Sequence, residues 1–158
     1  MLEQKKLDEF FKNVMHLSNG EKAVLARNHS LVENASYNVI LTLMKCIPDD
    51  VHVSKADYQN LLFVAAVRCE LGYVKEKYPS DVIATVIKRM QDGDAKISDL
   101  LMQDTATGRV YPLMRRYLSM YKNPIDVHAL YYNLSAWDEP SHETRYKWAS
   151  TWAKTSKK

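Results

Sequence analysis

The sequence predicts an all-α protein of about nine helices, grouped into two small helical bundles arranged in series. Apolar residues recur at helical spacing along the 158 residues, and no strand-like alternation persists beyond a few positions. There are only four glycines, and the prolines and glycines separate the periodic segments. With 46% hydrophobic residues, the chain can bury one core or two small ones.

The first three helices are marked by periodicity and by start or stop signals. Apolar residues predict a first helix over 7–17. Ser18 is the predicted N-cap of the second helix, because Glu21 lies three residues later and completes a capping box. Pro48 ends the third helix. That helix is recognised by four periodic residues, Tyr37, Ile40, Leu41 and Met44.

Two more helices precede the predicted domain boundary. Ser54 resembles a cap and opens a long, strongly apolar helix that ends near Gly72. The next helix begins after Pro79 and ends around Gly93, where the sequence shows its clearest break. The two predicted domains are an N-terminal helical bundle, 1–93, and a C-terminal helical bundle with a basic face, 94–158.

The remaining helices have similar signals. A short helix around Leu100 precedes one that Gly108 and Pro112 start, since proline fits the first helical turn. The predicted inward residues of that helix are Leu113, Met114, Tyr117, Leu118 and Tyr121. Asp126 is the predicted cap of the following helix, and a turn at Pro140 leads into the last one.

All three tryptophans lie in the last third of the chain. Trp148 and Trp152 are four residues apart on the last helix, and Trp137 ends the helix before it. This arrangement favours a buried aromatic cluster that holds two helices together over a platform for stacking bases.

Residues that carry catalytic or metal chemistry are scarce. The five histidines, at positions 16, 29, 52, 128 and 142, are scattered, and none is paired at metal-ligand spacing. No nucleophile, phosphate-binding or zinc-protease motif occurs. We therefore predict no catalytic residue, no metal site and no cofactor, and a binding or scaffolding role is favoured over an enzyme.

The compartment is predicted from the cysteines and from the apolar runs. Cys46 and Cys69 lie among apolar residues on predicted helices, which favours buried free thiols over a disulfide. The N-terminal residues lack the apolar core of a secretory signal, and no run approaches the roughly 18 apolar residues of a membrane span. These features predict a cytoplasmic protein that does not enter a membrane.

Positive charge is concentrated in the last third of the chain. The formal net charge is +3, yet residues 105–158 contain nine Lys and Arg against four acids. Arg109, Arg115, Arg116 and Lys122 accompany one helix without an acid. On that helix Arg115 is expected to point away from the apolar face, with Arg116 at its flank. A surface of one sign suggests an anionic partner, although a solvated face remains the alternative.

Two further cations, Arg145 and Lys147, open the last helix. Cations in a first turn oppose the helix dipole, which makes an external phosphate a more plausible partner for them.

Several short patterns, in the same order along the chain, resemble a known family. They are 17–27, with the sequence LSNGEKAVLAR; Leu100 and Leu101; the arginine pair within 113–118; and Leu134, Trp137, Asp138, Arg145, Trp148 and Ala149. Together they resemble CasB, the small subunit of the type I-E CRISPR surveillance complex, Cascade. Many members have paired arginines where this chain has Ala26 and Arg27, and residues 32–50 align with no part of the pattern.

The resemblance implies an all-helical, two-lobed subunit without catalytic activity. Its implied partners are the other Cascade subunits, a second copy of itself, the guide RNA, and the target DNA including the displaced strand. Its implied role is to brace the backbone subunits and to stabilise the R-loop through contacts that do not depend on sequence.

The resemblance also assigns basic binding residues. It places them near Lys55, Lys77, Arg116 and Arg145, with Arg27, Arg115 and Lys147 as neighbours. With Arg109 from the basic helix, these eight residues are the predicted nucleic-acid-binding set. Lys55 and Lys77 could equally be ordinary surface lysines.

Three other readings remain open. The chain could be a helical protein-interaction scaffold without direct nucleic-acid contact. It could be a helix-turn-helix regulator, although the basic helices contain few Gln and Asn residues for reading bases. An enzyme would require a cleft of perturbed acids or histidines.

Overall fold

The predicted fold class is confirmed. A computed structural model describes residues 1–28 and 35–156, and the described residues form nine α-helices and no strand. His29 and part of the unaligned segment 32–50 lie outside these ranges. The helices are α1 Gln4–Met15, α2 Asn19–Ala26, α3 Tyr37–Met44, α4 Lys55–Leu71, α5 Pro79–Lys88, α6 Gly93–Met102, α7 Val110–Tyr121, α8 Val127–Ala136 and α9 Glu143–Lys154.

Backbone contacts divide the chain into two compact units, Met1–Glu70 and Leu71–Lys158. This division differs from the predicted domains in the position of α5. Helix α5 packs most extensively on α7 and α9. The residues that it buries are Pro79, Val82, Ile83, Ala84 and Ile87.

The break at Gly93 is a tight turn inside the second unit. Asp92 has a left-handed backbone with φ of 57°. A Cβ atom on Gly93 would lie 2.9 Å from the carbonyl oxygen of Ile87. Glycine is therefore required here by the close approach of α5 and α6, and this requirement accounts for the break in the sequence pattern.

In the first unit, α1 and α4 supply much of the apolar core. Leu7, Phe10 and Val14 of α1 are fully buried, and α4 buries a continuous run from Leu61 to Val67. Asn13 of α1 donates to the carbonyl oxygen of Cys46 at 3.0 Å. Burial raises the pKa of the Cys46 thiol to about 12. Cys46 is thus a buried free thiol, as predicted, whereas Cys69 is half-buried.

The predicted capping box at the start of α2 is confirmed. The Glu21 amide donates to the Ser18 hydroxyl at 3.1 Å, and the Ser18 amide donates to the Glu21 carboxylate at 3.0 Å. The Lys45 ammonium also contacts that carboxylate, at 2.6 Å. These contacts satisfy free amides at the helix start and fix the position of Glu21.

The buried face of α3 is not the one that its large side chains suggest. Val39, Thr42 and Leu43 are buried. Tyr37 is 84% exposed and Leu41 62% exposed, and Met44 lies on the same side. The residues that identified α3 in the sequence therefore form most of an exposed apolar face.

The second unit is built around the predicted aromatic cluster. The rings of Trp137 and Trp148 meet edge to face, with centroids 5.1 Å apart, and both are buried. The Trp137 indole N–H donates to the carbonyl oxygen of Gln103 at 2.7 Å, and that of Trp148 donates to Asn133 at 3.2 Å. Trp152 is half-buried, with the Lys88 ammonium 3.7 Å from its ring centroid. Trp137 and Trp148 are core residues, as predicted.

Asp126 fixes the start of α8. Its carboxylate accepts from the amide of Ala129 at 3.1 Å, which confirms the predicted cap, and from the amide of Glu76 at 2.9 Å. The Asp126 amide donates to the carbonyl oxygen of Lys77 at 2.8 Å. The loop that carries Lys77 is thereby attached to the beginning of α8.

Candidate nucleic-acid interface

Helix α7 presents a face on which arginines alternate with apolar residues. Its opposite side is buried through Val110, Met114, Tyr117 and Leu118. The outer residues are spaced by three or four positions, so they share one side of the helix. We call Arg109, Leu113, Arg116 and Met120 the cationic stripe. Arg109 and Arg116 are exposed, Met120 is 49% exposed, and Leu113 is half-buried.

The two arginines of the cationic stripe have no acidic partner within ion-pair distance in the described part of the chain. Two turns of helix separate them, which places their backbones about 10 Å apart. The carboxylate of Asp104 lies in the electrostatic surroundings of Arg109, but hydrogen bonds from Thr107 are the main reason that its pKa is lowered. The stripe therefore offers two guanidinium groups to an external anion.

Lys77 adjoins the C-terminal end of the stripe. Its ammonium lies 5.9 Å from the centroid of the Tyr121 ring. Lys77, Met120 and Tyr121 also line the same pocket. Because Met120 follows Arg116 by one helical turn, Lys77 extends the cationic surface beyond α7.

The sequence predicts that Arg115 points away from the apolar face of α7, but in the structure Arg115 is buried. It is 5% exposed. Tyr111 lies four residues before it and Leu118 three residues after it, and both are buried on the same side of α7. The buried side of α7 is wider than the predicted apolar face, and Arg115 falls within it. Its nucleic-acid role stays a prediction.

Arg145 is directed into the protein, where it joins three helices. Its Nε donates to the carbonyl oxygen of Trp137 at 2.8 Å, and its Nη1 donates to that of Leu101 at 3.1 Å. Its Nη2 donates to the Asp138 carboxylate at 3.2 Å. The two carbonyls belong to the ends of α6 and α8, where helical partners are lacking. These contacts explain a cation in the first turn of α9 without an external phosphate. Binding of nucleic acid by Arg145 stays a prediction.

The remaining predicted binding residues are exposed and belong to three other parts of the chain, at α9, α2 and α4. Lys147 forms an ion pair with Glu143 at 3.4 Å, one turn earlier on α9. Arg27 follows the end of α2, and Lys55 is the first residue of α4. Arg27 and Lys55 both belong to the first unit. The structure thus places Arg109 and Arg116 on one side of α7, with Lys77 near the C-terminal end of that helix.

The apolar part of the stripe was not predicted. Leu113 was assigned to the inward face of α7, and Met120 was not singled out. A signal was present, because positions 109, 113, 116 and 120 follow helical spacing. Arg89 also lines the pocket, and the sequence gives no signal for it because it does not show which helix packs against α5.

The described residues form no cluster of His, Cys, Asp or Glu that could hold a metal ion. None of the helices in the same ranges combines the length and apolar character that crossing a bilayer demands.

The fold and this surface define a small all-α protein of two compact units with a cationic face on the second. A solved structure shares the fold: the crystal structure of M. ruber CasB matches with a TM-score of 0.67. The match covers 91% of this chain and 90% of that chain, at 15% sequence identity. The sequence matches no protein-family model and no curated protein. The resemblance to CasB is confirmed at the level of the fold.

Proposed function

We propose that this chain is the non-catalytic small subunit of a type I-E CRISPR RNA-guided surveillance complex. The observation that carries the proposal is the shared fold with M. ruber CasB over nine-tenths of both chains. The order of sequence patterns from 17–27 to Trp148 supports the same assignment. Its partners are then the other Cascade subunits, a second copy of itself, the guide RNA and the target DNA.

The proposed mechanism is electrostatic. Guide and target pair through their bases, while the protein contacts backbone and shape. Arg109 and Arg116, with Lys77 beyond them, contact phosphates of one strand. Each contact releases condensed counterions, which gives affinity that does not depend on sequence and weakens with salt. Holding the displaced strand in this way disfavours re-pairing of the DNA and stabilises the R-loop.

The alternative is a protein-interaction scaffold without nucleic-acid contact. The observation that favours it is the exposed apolar face of α3, with Tyr37 and Leu41 largely open to solvent. Apolar surface of this kind marks protein contacts rather than phosphate contacts. The two functions differ in the surface that binds the partner: the exposed face of α3 would bind a protein, whereas the cationic stripe would bind nucleic acid.

The test is the lifetime of the R-loop in a reconstituted complex. Type I-E subunits of the same organism and a guide RNA are assembled with and without this chain. The lifetime of the R-loop is then measured after addition of competitor DNA, from the chemical reactivity of the unpaired bases in the displaced strand. We expect the chain to co-purify with the complex and to lengthen R-loop lifetime several-fold. The double variant Arg109→Ala, Arg116→Ala should assemble and give a short lifetime.

The matched control is the double variant Arg109→Lys, Arg116→Lys, which keeps both charges and should retain most of the lifetime. If the chain does not assemble, the subunit assignment fails. If it assembles and the alanine variant behaves as wild type, the scaffold function replaces the proposed one.

A further inference from the structure

A pocket of about 540 Å³ opens between α5 and α7 in the second unit. This volume lies within the range of roughly 300–1,000 Å³ that is typical of small-molecule sites. Its apolar wall includes Val82, Val86, Met90 and Met120, and the Tyr121 ring also lines it. Val82 is buried, whereas Val86, Met90 and Tyr121 are half-buried. The pocket is therefore a cleft with an apolar interior and an open mouth.

Cations line the same pocket. Lys77 and Arg89 both border it, and the Lys77 ammonium lies over the Tyr121 ring. Asp81 is the acid among the residues that line it. A flat ligand attached to an anionic chain suits this combination, because the apolar wall contacts the ligand while the cations contact its phosphate.

Polar groups in the pocket can pair with the edge of such a ligand. Asp81 supplies carboxylate oxygens, which accept from amino groups. Thr85 supplies a hydroxyl, which both donates and accepts. The side-chain amide of Asn123 donates to the carbonyl oxygen of Tyr121 at 3.1 Å, which leaves the amide oxygen as an acceptor. Donors and acceptors beside an apolar wall are the means by which proteins hold an unpaired base.

The pocket is continuous with the cationic stripe, because Met120 belongs to both. A strand with phosphates on Arg109 and Arg116 reaches the pocket within one further helical turn of α7. We infer that this pocket receives one unpaired nucleobase of a strand bound along the cationic stripe. The inference rests on the proposed function and adds a contact to the base, which makes binding of strands with unpaired bases tighter than binding of duplexes.

The test compares binding of the full chain to three fluorescent oligonucleotides of equal length and charge at low salt. They are a single strand of mixed sequence, the same strand with an abasic residue at every position, and a hairpin duplex. We expect the single strand to bind roughly tenfold more tightly than the abasic strand, since contact of a base with an aromatic-lined wall contributes at this level. The duplex should bind no better than the abasic strand.

A variant that fills the pocket gives an independent measurement. Thr85→Phe places a ring in the cleft and leaves the net charge unchanged. It should reduce binding of the single strand to the level of the abasic strand. The matched control is Thr151→Phe on α9, another half-buried threonine in the second unit, which should bind as wild type.

The outcomes separate this inference from the proposed function. Equal binding of normal and abasic strands by wild type, with weaker binding by Arg116→Ala, overturns the pocket and leaves the phosphate contacts intact. Absence of binding to every oligonucleotide overturns both. Because the abasic comparison uses wild type, it decides the question even if Thr85→Phe fails to fold.

Discussion

At the residue scale, Arg116 and Arg145 show how packing decides what an arginine does. Both lie in a basic part of the sequence, and both were predicted to contact phosphate. Arg116 is exposed, whereas Arg145 is 9% exposed and donates to two carbonyls and a carboxylate. The partners of Arg145 come from positions 101, 137 and 138, so helical periodicity could not reveal them.

We expect Arg145→Ala to lower the free energy of unfolding by roughly 2–4 kcal/mol, since it leaves buried acceptors without donors. Arg116→Ala should change it by less than about 0.5 kcal/mol, as an exposed substitution does. Urea denaturation followed by circular dichroism measures both. Equal stabilities of the two variants would contradict the role assigned to Arg145.

Glu21 gives a pH dependence with a defined sign. Its hydrogen bond from Lys45, followed by those from Ser18, lowers the pKa of Glu21 from 4.5 to about 2. The charged form is favoured in the folded state, so its stabilising contribution is present above about pH 4.5 and is lost as pH falls toward about 2.

Glu21→Gln should therefore flatten the fall in stability between these pH values. Thermal unfolding at pH 5, 4, 3 and 2.5, values that span roughly this window, compares the variant with wild type. A variant that shows the same fall as wild type would mean that other carboxylates cause the acid sensitivity.

At the scale of elements, start signals were more reliable than burial patterns. The caps at Ser18 and Asp126 were predicted correctly because a cap depends on residues within one turn. The inner face of α3 could not be predicted, because large apolar residues occur on both sides of this short helix. In the structure Val39 and Leu43 are buried in the core, whereas Tyr37 and Leu41 are exposed to solvent.

The two faces of α3 predict opposite outcomes for the same substitution. Leu43 is fully buried, so Leu43→Ala should cost about 2–5 kcal/mol of unfolding free energy. Leu41→Ala should cost less than about 0.5 kcal/mol. Guanidinium denaturation of both variants checks this, and a large loss in Leu41→Ala would show that the exposed face is packed in the folded chain.

The turn between α5 and α6 should not tolerate a side chain. Gly93→Ala brings a methyl group within 2.9 Å of the Ile87 carbonyl oxygen, a backbone atom that cannot move easily. We expect a loss of about 1–3 kcal/mol. Gly20→Ala is the control, because the nearest atom to its added Cβ is 4.0 Å away. A melting temperature of Gly93→Ala equal to that of Gly20→Ala would refute the close approach.

At the scale of the whole molecule, the sequence predicted the all-α class and the helices, but not which helices group together. Helix α5 was assigned to the first domain because Gly93 is a strong local break. Its contacts with α7 and α9 are distant in sequence and place it in the second unit. The sequence does not reveal contacts between residues that are distant along the chain. The pocket between α5 and α7 therefore could not be predicted, whereas the arginines of α7 could.

The measurement that tests the central claim most directly is the salt dependence of binding to a single strand. Wild type is compared with Arg109→Ala, Arg116→Ala and with a control of equal net charge, Lys12→Ala, Lys154→Ala. Removing two phosphate contacts should reduce the slope of log affinity against log salt by about 1.4. The control should keep the wild-type slope. Equal slopes for all three proteins would contradict the claim that the cationic stripe binds a phosphate backbone.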